Sequence, residues 1–302
     1  MIVDKVAEKF VYNLKDRGLE VDYRPGIPKE KLVEIVGNYD ILVFRGRLRI
    51  DREVINAGSS LIMLARYGVG LDNVDVDYAL KRGIAVVNAP SASCISVAEL
   101  TLGLLLSAYR HLYQLIDMVK RGEWPKGMFI GRELHDKRLG VIGFGRIGSR
   151  VASYARTLGM KVLAHDIRDI SREAERIGAA QVDLETLLEN SDAITIHVQL
   201  TPLTYHMLDS RNLPLIPDGA VIVNTSRGEV IDTNALLDNL DRLGGVALDV
   251  LEQEPPRDEI YKRLIRHPKV IVTPHIGAET AEAMERIADE LLQNMLEAIK
   301  WL

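Results

Sequence analysis

Three charged or titratable side chains follow three separate apolar runs in the second half of the chain. Arg227 stands in NTSRGE, Glu254 ends LDVLEQE before Pro255, and His275 follows Pro274 in TPHIGA. Each apolar run is typical of a buried strand of a parallel sheet, and the carboxyl ends of such strands line the ligand crevice of an open α/β sheet. We therefore expect these side chains to share one edge of a sheet.

Arginine, glutamate and histidine together suit hydride transfer to a 2-oxo acid. A guanidinium presents a planar fork to the substrate carboxylate. Histidine is the natural general acid–base near neutral pH, and a neighbouring glutamate would raise its pKa and fix its orientation. Taken singly, the same residues could be a surface cation, a turn residue and a loop histidine. Their combination with the glycine motif described next favours the catalytic interpretation.

A glycine-rich turn indicates a dinucleotide site. The segment LGVIGFGRIGSR carries Gly143, Gly145 and Gly148 as G-x-G-x-x-G between a predicted strand and a predicted helix. The first glycine permits the tight turn, the second lets a pyrophosphate approach the backbone, and the third lets the helix pack on the strand.

The strand after this motif ends in Asp166, 18 residues beyond Gly148. A carboxylate at this position accepts hydrogen bonds from the ribose hydroxyls of NAD and repels the 2′-phosphate of NADP. His165 and Arg168 flank Asp166, so the exclusion of NADP could be incomplete.

Strand and helix patterns alternate in two blocks around these residues. Most apolar runs are continuous, which indicates strands buried on both faces under helices. The predicted strands are 41–44, 61–65, 84–87, 139–142, 161–164, 193–198, 220–223, 246–248 and 270–272, with a barely marked strand at 1–3. The predicted helices are 29–36, 52–57, 76–82, 96–120, 149–158, 184–189, 233–239 and 278–301. Gly18, Gly37, Gly58 and Gly83 are expected to end helices with positive φ. The fold class is therefore α/β with doubly wound parallel sheets.

Composition excludes several other classes of protein. The chain has 302 residues, 47% of them hydrophobic, and a net charge of −5. These values favour two globular domains and argue against disorder and against non-specific nucleic-acid binding. No apolar run is long enough to span a bilayer, and no secretory signal is evident. The single cysteine, Cys94, cannot form an internal disulfide, which favours a reducing, cytoplasmic location. The seven histidines are dispersed, so no metal site is expected.

In chain order, the motifs resemble those of the D-isomer-specific 2-hydroxyacid dehydrogenase family. They are ARYGVGLDNVD, VVNAPSASCISVAELTLGLLLSAYR, GVIGFGRIG, VNTSRGEVID, ALDVLEQEP and TPHIGA, and together they cover nearly the whole chain. The resemblance implies a Rossmann-type NAD-binding lobe over 96–274 and a smaller flavodoxin-like catalytic lobe made of 1–95 and 275–302. It also implies a homodimer formed through the cofactor lobe.

The resemblance assigns roles to individual residues. The family's catalytic arginine, glutamate and histidine fall on Arg227, Glu254 and His275. Besides the glycine motif, the implied cofactor contacts are Arg146, Ile147, Asp166, Thr225, Asp249, His275 and Gly277.

The amino-terminal lobe should select the acid. Gly68, Val69 and Gly70 form a loop that could present N–H groups to a carboxylate, or could be a plain tight turn. By resemblance, Arg45 and Arg49 fall where D-3-phosphoglycerate dehydrogenases carry cations facing the substrate, although a solvated basic loop is the alternative. The resemblance then implies a small-molecule substrate bound by these residues and Arg227, D-3-phosphoglycerate, which would be oxidised to 3-phosphohydroxypyruvate in serine biosynthesis.

Two alternatives remain open at this point. The first alternative is a glyoxylate or hydroxypyruvate reductase, which needs no phosphate site. It is kept open because D-3-phosphoglycerate dehydrogenases often carry Ser or Thr where this chain has Gly46. The resemblance also extends to corepressors, so a dinucleotide-sensing binding protein is a non-enzymatic alternative, although protein-binding extensions are lacking. Because the chain ends at Leu302, no regulatory domain is expected.

Overall fold

The computed structural model describes residues 1–301, which fold into two compact units. Met1–Ser93 forms the first unit together with the segment that starts at Ala278, and Cys94–Gly277 forms the second. These boundaries lie two and three residues from those expected from the sequence, 95 and 275.

The strands and helices have the following bounds. The strands are β1 (Ile41–Phe44), β2 (Met63–Arg66), β3 (Ala85–Val87), β4 (Arg138–Ile142), β5 (Lys161–His165), β6 (Ala179–Gln181), β7 (Ala193–Ile196), β8 (Val221–Asn224), β9 (Gly245–Leu248) and β10 (Val270–Val272). The α-helices are α1 (Glu8–Asp16), α2 (Lys29–Ile35), α3 (Arg52–Ala57), α4 (Val76–Lys81), α5 (Cys94–Tyr109), α6 (Leu112–Lys120), α7 (Arg146–Thr157), α8 (Ser171–Ile177), α9 (Leu184–Asn190), α10 (Thr233–Asn239), α11 (Glu259–Arg266) and α12 (Ala281–Ile299).

The first unit has the strand order of a flavodoxin-like sheet. β1, β2 and β3 pair in parallel in that order. Ile2 extends the sheet through single parallel bridges to Val43 of β1 and to Tyr23. Counted along the chain, the order is 2-1-3-4-5, which is the flavodoxin-like arrangement. The expected strand at 1–3 is thus present only as bridges at Ile2.

The second unit is a doubly wound sheet with Rossmann topology. Its parallel strands lie in the order β10-β9-β8-β7-β4-β5-β6. The order reverses between β4 and β7, and in such sheets the ligand crevice lies at the carboxyl ends of the strands at this switch point. β7, β8 and β9 are buried along their whole length, as their continuous apolar sequences predict. β6 was not predicted, because Ala179–Gln181 lacks an apolar run.

The long helix predicted over 96–120 is wrong, because it is broken at His111. His111 has a φ of 51°, and α5 ends at Tyr109 before α6 begins at Leu112. The Tyr109 carbonyl accepts a hydrogen bond from the N–H of Arg132 at 2.9 Å, which satisfies the end of α5 from outside the helix.

Two of the four glycines expected at positive φ serve a different purpose. Gly18 and Gly83 have φ values of 80° and 74°, as expected, whereas Gly58 has a φ of −79° and Gly37 lies in a 3₁₀ turn. A Cβ on Gly58 would lie 2.3 Å from Leu61 Cδ1, and a Cβ on Gly37 would lie 2.9 Å from the Ala57 carbonyl. Close packing therefore explains glycine at these two positions.

The short helices α1, α8 and α11 were also missed from the sequence. Each carries four charged residues within seven to nine positions, which leaves few apolar residues to mark a helical period. Over residues 1–301, every helix is too short or too polar to cross a membrane.

Candidate active site

The glycine motif forms a tight turn between β4 and α7. Gly143 has a φ of 86°, and a Cβ there would lie 2.7 Å from the His197 carbonyl. A Cβ on Gly148 would lie 2.0 Å from the Gly143 carbonyl, whereas a Cβ on Gly145 would meet no atom within 4 Å. The first and third glycines are thus required by packing, and the second faces open space beside the N-terminus of α7. This geometry fits a dinucleotide pyrophosphate, because helix N-terminal N–H groups bind phosphate.

Arg146 and Ile147 make up the first turn of α7, which begins three residues earlier than predicted. Arg146 is exposed beside the open space at Gly145. Ile147 is half-buried and packs against the core of the second unit. Their predicted contacts with the cofactor stay predictions.

Asp166 lies at the carboxyl end of β5 as an ionised carboxylate. It accepts hydrogen bonds from the N–H of Phe144 at 2.9 Å and from the N–H and Nε of Arg168, each at 3.1 Å. Burial alone would raise the pKa of Asp166, but the Arg168 guanidinium and these N–H groups lower it. The side chain of Arg168 is 63% exposed, whereas that of Asp166 is 11% exposed.

Arg227, Glu254 and His275 come together within the second unit, on the loops that follow β8, β9 and β10. Nδ1 of His275 lies 2.7 Å from Oε2 of Glu254, whose Oε1 accepts from the Leu251 N–H at 3.0 Å. Both side chains remain partly exposed, at 49% and 39%.

The contact between His275 and Glu254 shifts the pKa of both residues. The hydrogen bond to Glu254 raises the pKa of His275, with burial and the Arg227 charge opposing it. Burial raises the pKa of Glu254, yet the hydrogen bond and charge of His275, with smaller help from Arg227, bring it below its usual value. The pair therefore favours an imidazolium beside a carboxylate.

Asp249 holds the loop that carries His275. Its carboxylate accepts hydrogen bonds from Thr273 Oγ1 at 2.6 Å and from the N–H groups of Ile276 and Gly277, each at 2.8 Å. His275 has a φ of 55°, a conformation that needs such support. Asp249 is 1% exposed, and its oxygens face this loop; its expected contact with the cofactor stays a prediction.

Thr225 is buried, and its hydroxyl faces α5. Thr225 Oγ1 lies 2.9 Å from Thr101 Oγ1, which itself donates to the Val97 carbonyl at 2.8 Å. Thr225 is therefore the donor to Thr101, so its side chain links β8 to α5. The expected contact between Thr225 and the cofactor is untested.

The loop that carries Arg227 lies directly against the loop that carries Glu254. Asn224 Nδ2 donates to the Arg227 carbonyl at 2.8 Å and fixes the turn. A Cβ on Gly228 would lie only 2.0 Å from the Leu251 carbonyl carbon. Glycine at 228 is what allows these two loops to pack together.

His197, at the end of β7, was missed by the sequence analysis. Both of its ring nitrogens are buried and have no hydrogen-bond partner among residues 1–301. Burial lowers its pKa to about 3, so the imidazole is neutral. Its position directly after a strand, at the point where the strand order reverses, was the available signal. Unsatisfied polar atoms there fit a site that a polar ligand completes.

The loop at 67–70 in the first unit turns its carbonyls inward. The carbonyl of Tyr67 accepts from Arg66, that of Gly68 from the Ala89 N–H, that of Val69 from Asn88, and that of Gly70 from Arg66. Gly68 has a φ of 142°. The carbonyls of the loop are thus engaged within the unit, and the expected contact of its N–H groups with a carboxylate stays a prediction.

Arg45 and Arg49 lie in different surroundings. Arg45 is half-buried and forms an ion pair with Glu279. Arg49 is exposed and lines a groove with Asp51, Asp72 and Asp75. Neither position tests the expected contact with substrate.

Arg66 is a further cation that the sequence analysis did not single out. Its guanidinium would lie 2.8 Å from a Cβ on Gly68 and 3.5 Å from a Cβ on Gly46. Arg66 therefore lies between the loop that follows β1 and the loop that follows β2.

Comparison with known proteins identifies the family. Residues 102–277 match the model of the D-isomer specific 2-hydroxyacid dehydrogenase NAD binding domain. The chain is 39% identical to the hydroxypyruvate reductase of Thermotoga maritima, over 98% of this chain and 96% of that protein. It is 42% identical to the D-3-phosphoglycerate dehydrogenase of Methanocaldococcus jannaschii, over 94% of this chain but only 54% of that protein. The chain thus spans about half the length of the phosphoglycerate dehydrogenases it matches.

A solved structure with bound ligands has the same fold. The D-lactate dehydrogenase of Aquifex aeolicus, complexed with NAD and lactic acid, superimposes with a TM-score of 0.86 at 30% identity, over 99% of this chain and 95% of that one. The resemblance drawn from the motifs, the α/β fold and the NAD cofactor are confirmed by these matches. The chain belongs to the D-isomer specific 2-hydroxyacid dehydrogenases, a family of NAD-dependent enzymes.

Proposed function

We propose that Arg227, Glu254 and His275 are the catalytic residues of a D-2-hydroxyacid dehydrogenase. The observation that carries this proposal is the 2.7 Å contact between His275 Nδ1 and Glu254 Oε2, with Arg227 near enough to influence the pKa of both. A cation for a carboxylate and a proton donor held by a carboxylate are what reduction of a 2-oxo acid requires.

Each side chain has a separate task. Arg227 binds the carboxylate of the acid through two parallel hydrogen bonds. With Nδ1 of His275 occupied by Glu254, Nε2 is the atom that gives a proton to the carbonyl oxygen, or takes one from the hydroxyl in the reverse reaction. NAD, when bound, exchanges the hydride with C2 of the acid. The N–H groups beside Gly145 and the carboxylate of Asp166 would hold its pyrophosphate and ribose.

For the substrate, we propose D-3-phosphoglycerate and 3-phosphohydroxypyruvate, an oxidation that would serve serine biosynthesis. The observation that favours a phosphorylated acid is the cationic character of two neighbouring loops in the first unit, with Arg66 between them and Arg45 and Arg49 on the loop after β1. A phosphate with nearly two negative charges needs such cations.

Glyoxylate or hydroxypyruvate is the second candidate, and a different observation favours it. Glu279 already neutralises Arg45, and the groove that Arg49 lines holds four carboxylates against one further cation, Arg52. Both features weaken the attraction for a dianion. A relative of nearly equal length is named hydroxypyruvate reductase.

Steady-state kinetics with NADH and four acids distinguishes these candidates. We expect kcat/KM to be highest for 3-phosphohydroxypyruvate among that acid, hydroxypyruvate, glyoxylate and pyruvate. A preference for hydroxypyruvate or glyoxylate would assign the second candidate. NADH binding without turnover of any acid would favour a dinucleotide-sensing protein.

We also propose that the protein is a cytoplasmic homodimer. Large apolar side chains are exposed along α6 and the segment after it: Leu112, Ile116, Val119, Trp124, Met128 and Ile130. An apolar surface of this kind marks an interface, and its place in the cofactor unit matches the dimer that the family resemblance implies. Light scattering should give twice the chain mass of 33.7 kDa, and Ile116→Asp should give a monomer. The single cysteine is the argument for the cytoplasm.

A further inference from the structure

His206 and Glu252 form a second histidine–carboxylate contact in the same unit as the proposed catalytic pair. Nε2 of His206 lies 2.9 Å from Oε2 of Glu252, and Nδ1 lies 3.5 Å from Oδ2 of Asp232. The two side chains are 28% and 16% exposed, so this contact is more enclosed than that of His275 and Glu254. The mechanism described above makes no use of it.

The Glu252 carboxylate connects three segments of chain. Its Oε1 accepts hydrogen bonds from the N–H of Thr233 at 2.9 Å and from the Thr233 hydroxyl, while Oε2 contacts His206. His206 is itself held to a neighbouring segment, because its N–H donates to the Glu229 carbonyl at 2.8 Å. The segments 204–208, 228–233 and 250–254 therefore meet at one carboxylate.

One of these segments carries Glu254, and another begins directly after Arg227. Glu252 lies two residues before Glu254, and the N–H of Leu251, the residue before Glu252, donates to Glu254 at 3.0 Å. On the other side, Gly228 packs against the backbone of Leu251 and Glu252 and directly follows Arg227. A movement of residues 251–252 would thus displace the Glu254 carboxylate and the support of Arg227 together.

We propose that His206 and Glu252 are positioning residues, which hold the 251–254 segment so that Glu254 meets His275 in the productive geometry. This inference rests on the catalytic roles proposed above for Glu254 and His275. Directional hydrogen bonds to a charged acceptor fix orientation in a way that apolar packing does not. Displacements of about 1 Å at such a site can cost about 100-fold in rate.

The test compares variants that keep or remove these hydrogen bonds. Glu252→Ala and His206→Ala remove them. Glu252→Gln removes the charge but keeps an acceptor for Thr233 and a donor for His206, which can accept through Nε2 if Nδ1 carries the proton towards Asp232. Asp183→Ala is the matched control, because it removes a hydrogen bond to the Thr186 N–H, 2.8 Å long, at the start of α9 in the same unit.

The readout is the pH dependence of kcat/KM for the best 2-oxo acid, with the NADH dissociation constant and the Tm. The groups that set the pKa of His275 are Glu254, Arg227 and Asp249. We expect Glu252→Ala and His206→Ala to lower kcat/KM by about 10- to 100-fold. In both variants the midpoint of the fall in kcat/KM with rising pH should shift to lower pH, and the affinity for NADH should be unchanged. Glu252→Gln should retain the wild-type profile, and Asp183→Ala should lower only the Tm.

Two results would overturn the positioning role of His206 and Glu252. If Glu252→Ala lowers the Tm as Asp183→Ala does and keeps the wild-type pH profile, the positioning role is overturned. An equal pH shift in Glu252→Gln and Glu252→Ala would also overturn it, because charge rather than hydrogen bonding would then be responsible. Glu254→Gln separates this failure from that of the proposed function. A normal pH profile in Glu254→Gln contradicts the catalytic assignment itself, whereas a shift there without one in Glu252→Ala contradicts only the positioning role.

Discussion

Nδ1 of His275 lies 2.7 Å from Oε2 of Glu254, although the two residues are 21 positions apart and follow different strands. The contact orients the imidazole and raises its pKa, and Nε2 is the atom to which we assign proton transfer with the substrate. Asp249 supports this arrangement by accepting hydrogen bonds from the N–H groups of Ile276 and Gly277, which follow His275. Because β9 and β10 are neighbouring strands, the sheet brings together the two side chains that we propose for proton transfer.

The pH dependence of the two reaction directions follows from the raised pKa of His275. Reduction needs the imidazolium, so its kcat/KM falls as the pH rises through this pKa, whereas oxidation needs the neutral ring and gains over the same range. Glu254→Gln removes the charged partner that raises the pKa of His275, so the pH profiles of reduction and of oxidation should both shift to lower pH. Rate profiles of wild type and variant in both directions measure the shift. Superimposable profiles would show that Glu254 does not tune His275.

Two glycine substitutions should separate folding from cofactor binding. A Cβ at Gly148 would overlap the Gly143 carbonyl, whereas a Cβ at Gly145 points into open space. We expect Gly148→Ala to destabilise the fold by about 1–3 kcal/mol. Gly145→Ala should keep the wild-type Tm and weaken NADH binding by about tenfold or more, which corresponds to roughly 1.4 kcal/mol. Thermal unfolding and NADH fluorescence titration give the two values. Undiminished NADH affinity in Gly145→Ala would place the pyrophosphate elsewhere.

Asp166 should control the choice between NAD and NADP. Its carboxylate is the charged acceptor at the end of β5, and Arg168 is already bound to it. In Asp166→Ala the ribose loses its acceptor, and Arg168 becomes available to a 2′-phosphate, so NAD should bind more weakly and NADP more tightly. In Asp166→Ala/Arg168→Ala the gain for NADP should disappear. The ratio of kcat/KM for NADH and NADPH reports both changes, and a constant ratio would remove Asp166 from cofactor selection.

Arg45 and Arg49 should respond differently to the acid used. A charge-assisted hydrogen bond contributes about 1.5–3 kcal/mol, so losing one from a phosphate raises KM about 10- to 100-fold. Arg49→Ala should raise KM for 3-phosphohydroxypyruvate and leave KM for glyoxylate nearly unchanged. Arg45→Ala should raise KM for both acids, because Arg45 lies nearer the end of β1. Equal losses on both acids for Arg49→Ala would contradict a phosphate site at that residue.

The sequence predicted best those elements whose position depends on burial of apolar residues alone. Continuous apolar runs identified the buried strands, and β1, α3, α10 and β10 have the predicted bounds. The break at His111 leaves no signal in the apolar pattern, and the hydrogen bond that satisfies the end of α5 comes from Arg132, more than 20 residues away. At the candidate site, the positions of Arg227, Glu254 and His275 after three predicted strands led us to expect them at one sheet edge, and the structure brings them together. The positions of Arg66, His197 and Glu252 depend on three-dimensional contacts that leave no periodic signal.

The most direct test of the account is the turnover of His275→Ala in the reduction of the best 2-oxo acid. A positioned general acid is typically worth about 10²–10⁴-fold, so kcat should fall by that factor while NADH affinity and Tm stay close to wild type. A kcat close to that of the wild-type enzyme would contradict the assignment of His275 as the proton donor, and with it the role of its contact with Glu254.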